Sequence, residues 1–198
     1  GGKGRLGMGT KDEDFVEQLF VANTHDYLLF FTNKGQVFRK IVFELPQAGP
    51  TGRGKAVINM LPLREGESIC ACLNVPKESE NKYIFLCTEG GVAKKTPMLD
   101  CAKIRVSGLR VITLDEGDSV ISVQLTDGNQ ELFFATRDGM GLRVNEKTLR
   151  PMGRQARGVR GVRIRKGDRV VSALALSGSG ELLTVTEGGY GKKTPIAD

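Results

Sequence analysis

Apolar residues along this chain fall in short runs, with no sustained helical stripe. Residues 27–31 read Tyr-Leu-Leu-Phe-Phe, followed by Thr32, two polar residues and Gly35, and then by a short segment carrying Arg39 and Lys40. The pattern returns at 83–96 with Thr88, Gly91, Lys94 and Lys95, at 132–143 with Thr136, Gly139 and Arg143, and at 182–194 with Thr186, Gly189, Lys192 and Lys193. The threonines are spaced by 56, 48 and 50 residues. Each copy predicts a buried strand, a tight turn in which Gly supplies a positive φ, and a short return strand. A second motif interleaves with the first: Glu65-Gly66-Glu67, Glu116-Gly117-Asp118 and Lys166-Gly167-Asp168, with glycines 51 and 50 apart. It predicts a second hairpin turn, flanked by strands at 111–114 and 120–123 and again at 159–164 and 170–174. The nearest approach to a helical pattern, residues 13–20, is short and reads as a strand.

Two motifs sharing one period make the chain a repeat protein of about four strands per unit. Units of this size predict an all-β, propeller-like ring or spiral, because each sheet can bury its faces only against its neighbours. The expected organisation is a single domain, 1–198, with units at 1–26 (partial), 27–82, 83–130, 131–180 and 181–198 (partial). The Gly1-Gly2-Lys3-Gly4 start reads as an internal cut of a longer chain, not as a secretory signal. No apolar run approaches the length of a membrane span.

Charge adds a partner. The chain has 29 Lys+Arg against 23 Asp+Glu in 198 residues, a net charge of +6. Residues 137–167 hold ten basic and two acidic residues, so +8 lies in one stretch and −2 in the remainder. Eight of those ten are Arg, which favours phosphate through its fork geometry. Basic residues also recur just past each first turn, at Arg39, Lys40, Lys94, Lys95, Arg143, Lys192 and Lys193, and this predicts a basic band along one rim. Gly-rich basic loops join it: Gly1, Gly2, Lys3, Gly4 and Arg5; Arg53 and Lys55; and Arg154, Arg157, Arg160 and Arg163, with Arg105 and Arg110 in the preceding unit. No recognition helix, zinc finger or aromatic platform accompanies them, so the expected ligand is a nucleic-acid duplex gripped by its backbone without regard to sequence.

Other chemistry is thin. Cys70 and Cys72 stand two apart, which places both thiols on one face of a strand. With a single His and no C-x-x-C in the chain they read as packing residues, and no metal site is expected. Four cysteines are too sparse for a disulfide scaffold, which points to a reducing, cytoplasmic compartment. His25 reads as a turn residue, and no catalytic residue is expected.

The motifs resemble the C-terminal domain of the DNA gyrase A subunit, in the type IIA topoisomerases. The resemblance is carried by Gly1-Gly2-Lys3-Gly4, which looks like the end of the gyrase A box, and by residues 21–26, 54–63, 88–96, 158–163 and 189–194. It implies a β-pinwheel, a spiral of blades that swap strands, with about four blades present. It also implies a DNA-wrapping role in ATP-driven negative supercoiling. The implied partners are the N-terminal domain of the gyrase A subunit and the gyrase B subunit, with ATP and Mg used elsewhere in the enzyme and none bound here. The implied setting is bacterial and nucleoid-associated, with this fragment itself a monomer. The corresponding domain of the topoisomerase IV A subunit is the alternative, and a protein-interaction propeller a distant one.

Overall fold

The computed structural model describes residues 27–41, 59–76 and 79–176, and the backbone alone of 181–185 and 191–195. The strand expected over 13–20 and the partial unit 1–26 lie outside the described residues. The strands are β1 (Tyr27–Thr32), β2 (Gln36–Ile41), β3 (Ile69–Val75), β4 (Tyr83–Thr88), β5 (Val92–Pro97), β6 (Leu109–Arg110), β7 (Val120–Thr126), β8 (Glu131–Thr136), β9 (Gly141–Asn145), β10 (Val159–Arg160), β11 (Val170–Leu176), β12 (Glu181–Val185) and β13 (Gly191–Pro195). They form sheets in the orders β3-β1-β2-β6, β7-β4-β5-β10, β11-β8-β9 and β12-β13, with antiparallel pairing throughout. The first three are called sheets A, B and C. The fold is all-β and built of successive antiparallel sheets, as the repeat predicts.

The apolar runs of β1 and β4 are continuous because both faces of sheets A and B are covered. In β1, Leu29 and Phe31 join Ile84, Leu86 and Val123 in a core between sheets A and B, while Leu28 and Phe30 pack on the other face with Phe38 and Leu61. A third cluster fills the space between sheets B and C. In it Phe85 and Phe134 meet edge to face at 6.0 Å, a geometry worth about 0.5–1.5 kcal/mol beyond area burial.

The first motif folds as read. Thr32, Thr88 and Thr136 each end the first strand of a hairpin. Their hydroxyls accept from the backbone N–H of Gln36, Val92 and Met140, and Gly35, Gly91 and Gly139 turn with φ of 82°, 91° and 88°. The second motif folds differently. Its glycines do turn with positive φ, but the flanking segments do not pair with each other. β6 joins β2 of sheet A and β10 joins β5 of sheet B, whereas β7 and β11, which follow the turns, join β4 and β8. The reason is packing: Val111, Ile112 and Val162 enter the cores between sheets, so the chain leaves one sheet before the turn and enters the next after it.

The two motifs lock together through the acid that closes the second. Glu67 accepts from the Thr32 hydroxyl at 2.9 Å, Asp118 from the Gly90 N–H at 2.9 Å, and Asp168 from the Asp138 N–H at 3.1 Å. The first-turn backbone is equally committed. Gly35 O accepts from Val111 N, Gly91 O from Gly161 N and Val162 N, and Glu89 O from Val170 N.

Substitution at two glycines separates these effects. At Gly91 a Cβ would lie 2.6 Å from Val162 O, whereas at Gly117 nothing lies within 4 Å, although φ is positive at both. Gly117→Ala is expected to cost about 1–2 kcal/mol, the backbone term alone, and Gly91→Ala distinctly more; equal losses in thermal unfolding would contradict the close approach. Asp168 gives a pH test. Burial of its carboxyl opposes ionisation, but the Thr136 hydroxyl, the N–H groups of Arg169 and Asp138 and the Arg137 guanidinium outweigh it and hold its pKa below the usual value. A depressed carboxylate stabilises the fold above its unfolded pKa, about 3.9, and loses that contribution as pH falls through the folded value. Asp168→Asn should therefore be less stable than the parent at neutral pH, with the gap closing in acid.

Candidate nucleic-acid interface

One edge strand from each sheet, β3, β7 and β11, packs beside its counterpart in the neighbouring sheet. The opposite edges, capped by β6 and β10, face outward and form a rim. Two chain segments build it, 103–113 over sheet A and 150–166 over sheet B. Neither contains an acidic residue. Arg105, Arg110, Arg157, Arg160 and Arg163 are exposed there and Arg154 is half-buried; Lys103, Arg150, Arg165 and Lys166 are exposed beside them. Gly158 lets the second segment close on sheet B, since a Cβ there would sit 2.7 Å from Ala93 O. The outer edge of sheet C carries no strand among the described residues. A cleft of about 480 Å³ lies there, between Leu142 of β9 and Arg160 and Arg163.

The rim is not where the return strands put it. Lys94 and Lys95, read as rim contacts, are 0 % and 4 % exposed. The return strand β5 is the third in its sheet, and β10, arriving some sixty residues later in the chain, covers its outer side. Lys94 Nζ donates to Val111 O and Arg154 O, each at 2.6 Å. Burial pulls its pKa down to about 8, with Arg154 pushing the same way and Cys101 and Asp100 opposing. Lys95 Nζ donates to Glu146 O at 3.1 Å and lies 4.8 Å from the centre of the Tyr83 ring.

The basic residue four positions past the turn glycine of each hairpin in sheets A, B and C obeys a rule that sequence reading missed. Arg39 stacks on Tyr27 at 4.8 Å, Lys95 on Tyr83 at the same distance, and Arg143 Nε sits 3.5 Å from Glu131 Oε2. In every case the partner precedes the cation by twelve residues and stands at the start of the hairpin's first strand. The spacing recurs at Glu181 and Lys193. These cations bridge the hairpin diagonally. Arg39 and Arg143 remain exposed and Lys40 is half-buried. Lys192 and Lys193 lie on β13, where they pair in register with Thr184 and Leu183. Gly1, Gly2, Lys3, Gly4, Arg5, Arg53 and Lys55, and His25 with them, lie outside the described residues.

The cysteine pair is also corrected. A register shift where β3 meets Phe31 and Thr32 makes Cys70 an extra residue in its strand. Cys70 then packs toward the core between sheets A and B, while Cys72 packs on the opposite face. The two thiols therefore do not share a face. Burial pushes Cys72 and Cys87 up to about 12, so both are inert thiols.

A family model described as the DNA gyrase C-terminal domain, beta-propeller, matches residues 1–23, 26–76, 82–127, 130–177 and 180–198. The chain belongs to this family. It is 43% identical over 158 residues to the DNA gyrase A subunit of Halalkalibacterium halodurans, covering 80% of this chain and 19% of that protein. It is likewise 43% identical over 157 residues to the DNA gyrase A subunit of Streptococcus pneumoniae serotype 4, covering 79% and 19%. The chain thus spans about a fifth of the length of these relatives. Among solved structures, the C-terminal domain of DNA topoisomerase IV matches with a TM-score of 0.77 and 29% identity, over 94% of this chain and 60% of that one. A DNA gyrase A C-terminal domain matches at 0.70 and 26%, over 87% and 55%. Membership of the family and a β-pinwheel built from repeated motifs agree with the arrangement of sheets A to C.

Burial of the two lysines is open to a direct check. Brief acetylation of the native protein should modify the exposed Lys103, Lys147 and Lys166, and spare Lys94 and Lys95 until the chain is denatured. Native modification of Lys94, read by mass spectrometry, would return it to the surface.

Proposed function

We propose that this chain binds double-stranded DNA along its outer rim and wraps it, as the DNA-handling part of a larger type II topoisomerase of the gyrase kind. The observation that carries the reading is a rim whose two building segments contain no acid, with exposed Arg105, Arg110, Arg160 and Arg163 on two adjacent sheets and Arg157 paired beside them with Asp115. Exposed guanidinium groups suit phosphates, and phosphate contacts hold a duplex without reading its sequence. Bending 20–30 base pairs by 40–90° costs on the order of 1–6 kcal/mol. One patch would barely offset that, so the spread of arginines over successive sheets supports a wrap and not a local grip. Strand passage and ATP hydrolysis are assigned to other parts of the larger enzyme, including the rest of the gyrase A polypeptide and the gyrase B polypeptide.

A topoisomerase IV domain is the second reading, favoured by the structural match at a TM-score of 0.77. The gyrase reading is preferred because the curated relatives at 43% identity are gyrase proteins.

Duplex affinity should fall roughly 10³–10⁵-fold between about 50 and 200 mM salt if 6–10 phosphates are neutralised. Arg160→Ala should weaken binding to all sequences alike and lower the salt slope by about 1. Ligation of nicked circular DNA with bound protein should give a positive linking shift. Binding indifferent to salt would refute the rim as the site, and tight binding with no linking shift would refute the wrap.

A further inference from the structure

Lys94 is inaccessible, yet its two hydrogen-bond acceptors lie on the two segments that build the rim. Val111 O follows β6, which carries Arg110 over sheet A; Arg154 O belongs to the loop that leads into β10 over sheet B. We propose that Lys94, assisted by Thr113, is a positioning residue for DNA wrapping that fixes the rim of sheet A to the rim of sheet B, so that the arginines of both present one continuous track. The inference rests on the duplex-binding reading above.

The tie has several strands. Thr113 N donates to Ala156 O at 3.3 Å and Thr113 Oγ1 to Gln155 O at 2.6 Å. Arg154 Nη1 donates to Arg110 O at 3.4 Å, and Arg157 Nη1 meets Asp115 Oδ1 at 3.2 Å. Residues 110–115 and 154–157 are therefore laced to one another, and Lys94 reaches both from beneath, out of the core. The outer contacts are exposed and compete with water. The Lys94 bond to Val111 O is buried and that to Arg154 O half-buried, and shielded hydrogen bonds to a charged group are the stronger kind. The tie does not depend on the charge alone: a neutral amine retains two N–H donors for two carbonyls.

The repeat shows that this is more than core filling. The position equivalent to Lys94 is Phe38 in sheet A and Leu142 in sheet C, three residues past the turn glycine in each case. Phe38 is buried against Gly108, where a Cβ would meet its ring at 2.7 Å. An apolar side chain thus suits the place sterically, and a lysine there supplies what Phe and Leu lack, donors for two chain segments. The sequence places a second such lysine at Lys192.

Two rims held at a fixed angle act as one long site; two rims free to shift act as two short ones joined by a tether, and the second half binds with only its effective concentration behind it. Lys94→Met keeps volume and removes the donors. In the full chain it should weaken duplex binding by roughly tenfold and lower the salt slope by about 2 or more, because Arg110, Arg154 and Arg157 all lose register. At saturating protein its linking shift on nicked plasmid should fall by at least half. A direct phosphate contact would lower the slope by about 1 and leave the saturated linking shift whole. Thr113→Val, which spares the core, should move slope and linking shift in the same direction by less, and it carries the test if Lys94→Met does not fold. Val123→Ala in the core between sheets A and B should lower stability with the slope unchanged. If Lys94→Met or Thr113→Val, correctly folded, bound and wrapped as the parent does, the proposal would be overturned while the duplex-binding reading stood. A parent chain that failed to bind duplex would overturn both.

Discussion

The structure depends on the turn of the first hairpin in sheets A and B, where backbone from the following unit comes within hydrogen-bonding distance of a glycine. At sheet B, Gly91 O receives two N–H groups and Val162 O lies where a Cβ would be. At sheet A, Gly35 O receives Val111 N, and Ile112 occupies the same space. A side chain at either glycine would push the following unit away and open the core that Val111, Ile112 and Val162 fill. The Thr hydroxyl and the acid at the end of the second motif hold this turn in shape from either side. One small loop therefore sets the hairpin, seats the swapped strand and delivers the chain to its next sheet.

This constraint decides where charge can go. In sheets A and B the outermost strand comes from the following unit, so the return strand is interior, and in sheet B its lysines must be satisfied inside. Lys94 and Lys95 are buried polar groups with carbonyl acceptors, as burial of a cation requires. Arg39, Lys95 and Arg143 bridge back to the aromatic or acidic residue twelve positions earlier and so brace the hairpin. The arginines of 150–166 lie on the strand and loop that the swap carries outward, with no acid in those segments to neutralise them. The same residue types are thus used in two ways, for bracing within a sheet and for a basic field along the rim, in which Arg157 pairs with an acid, Asp115.

The repeat, the all-β class and the Thr-x-x-Gly turns were legible because they rest on local chemistry: short apolar runs, a hydroxyl that closes a turn and a glycine that tolerates positive φ. What misled was sequence proximity. Residues 111–114 and 120–123 flank a tight turn and read as a hairpin, yet apolar side chains at 111 and 112 are drawn into the core of the sheet before, and no local signal announces that. The burial of Lys94 and Lys95 follows from the same long-range swap. The pairing of positions twelve apart was available in the sequence, since Tyr27 with Arg39, Tyr83 with Lys95, Glu131 with Arg143 and Glu181 with Lys193 all keep the spacing. Its signal was the exchange of Tyr for Glu opposite a constant cation. The parting of Cys70 from Cys72 was not available, because a bulge shifts the alternation on which that reading relied.

A curved track for DNA needs more than arginines; it needs neighbouring sheets to hold their angle against a stiff duplex. An elastic load on the rim acts where the sheets are farthest from their shared packing, so it has its greatest leverage on the segments that carry the charge. The hub strands β3, β7 and β11 cannot resist that load alone, since they sit at the opposite edge of each sheet. Resistance has to come from contacts between the rim segments themselves, and the carbonyls of Val111 and Arg154 converging on one buried ammonium, with Thr113 beside them, are contacts of that kind. Swapping the outer strand makes them possible: it brings 109–115 over sheet A while 152–157 lies close enough to be tied to it. The swap, the buried lysine and the exposed arginines are on this view parts of one solution, in which the chain is woven so that its charged edge is also tied across two sheets.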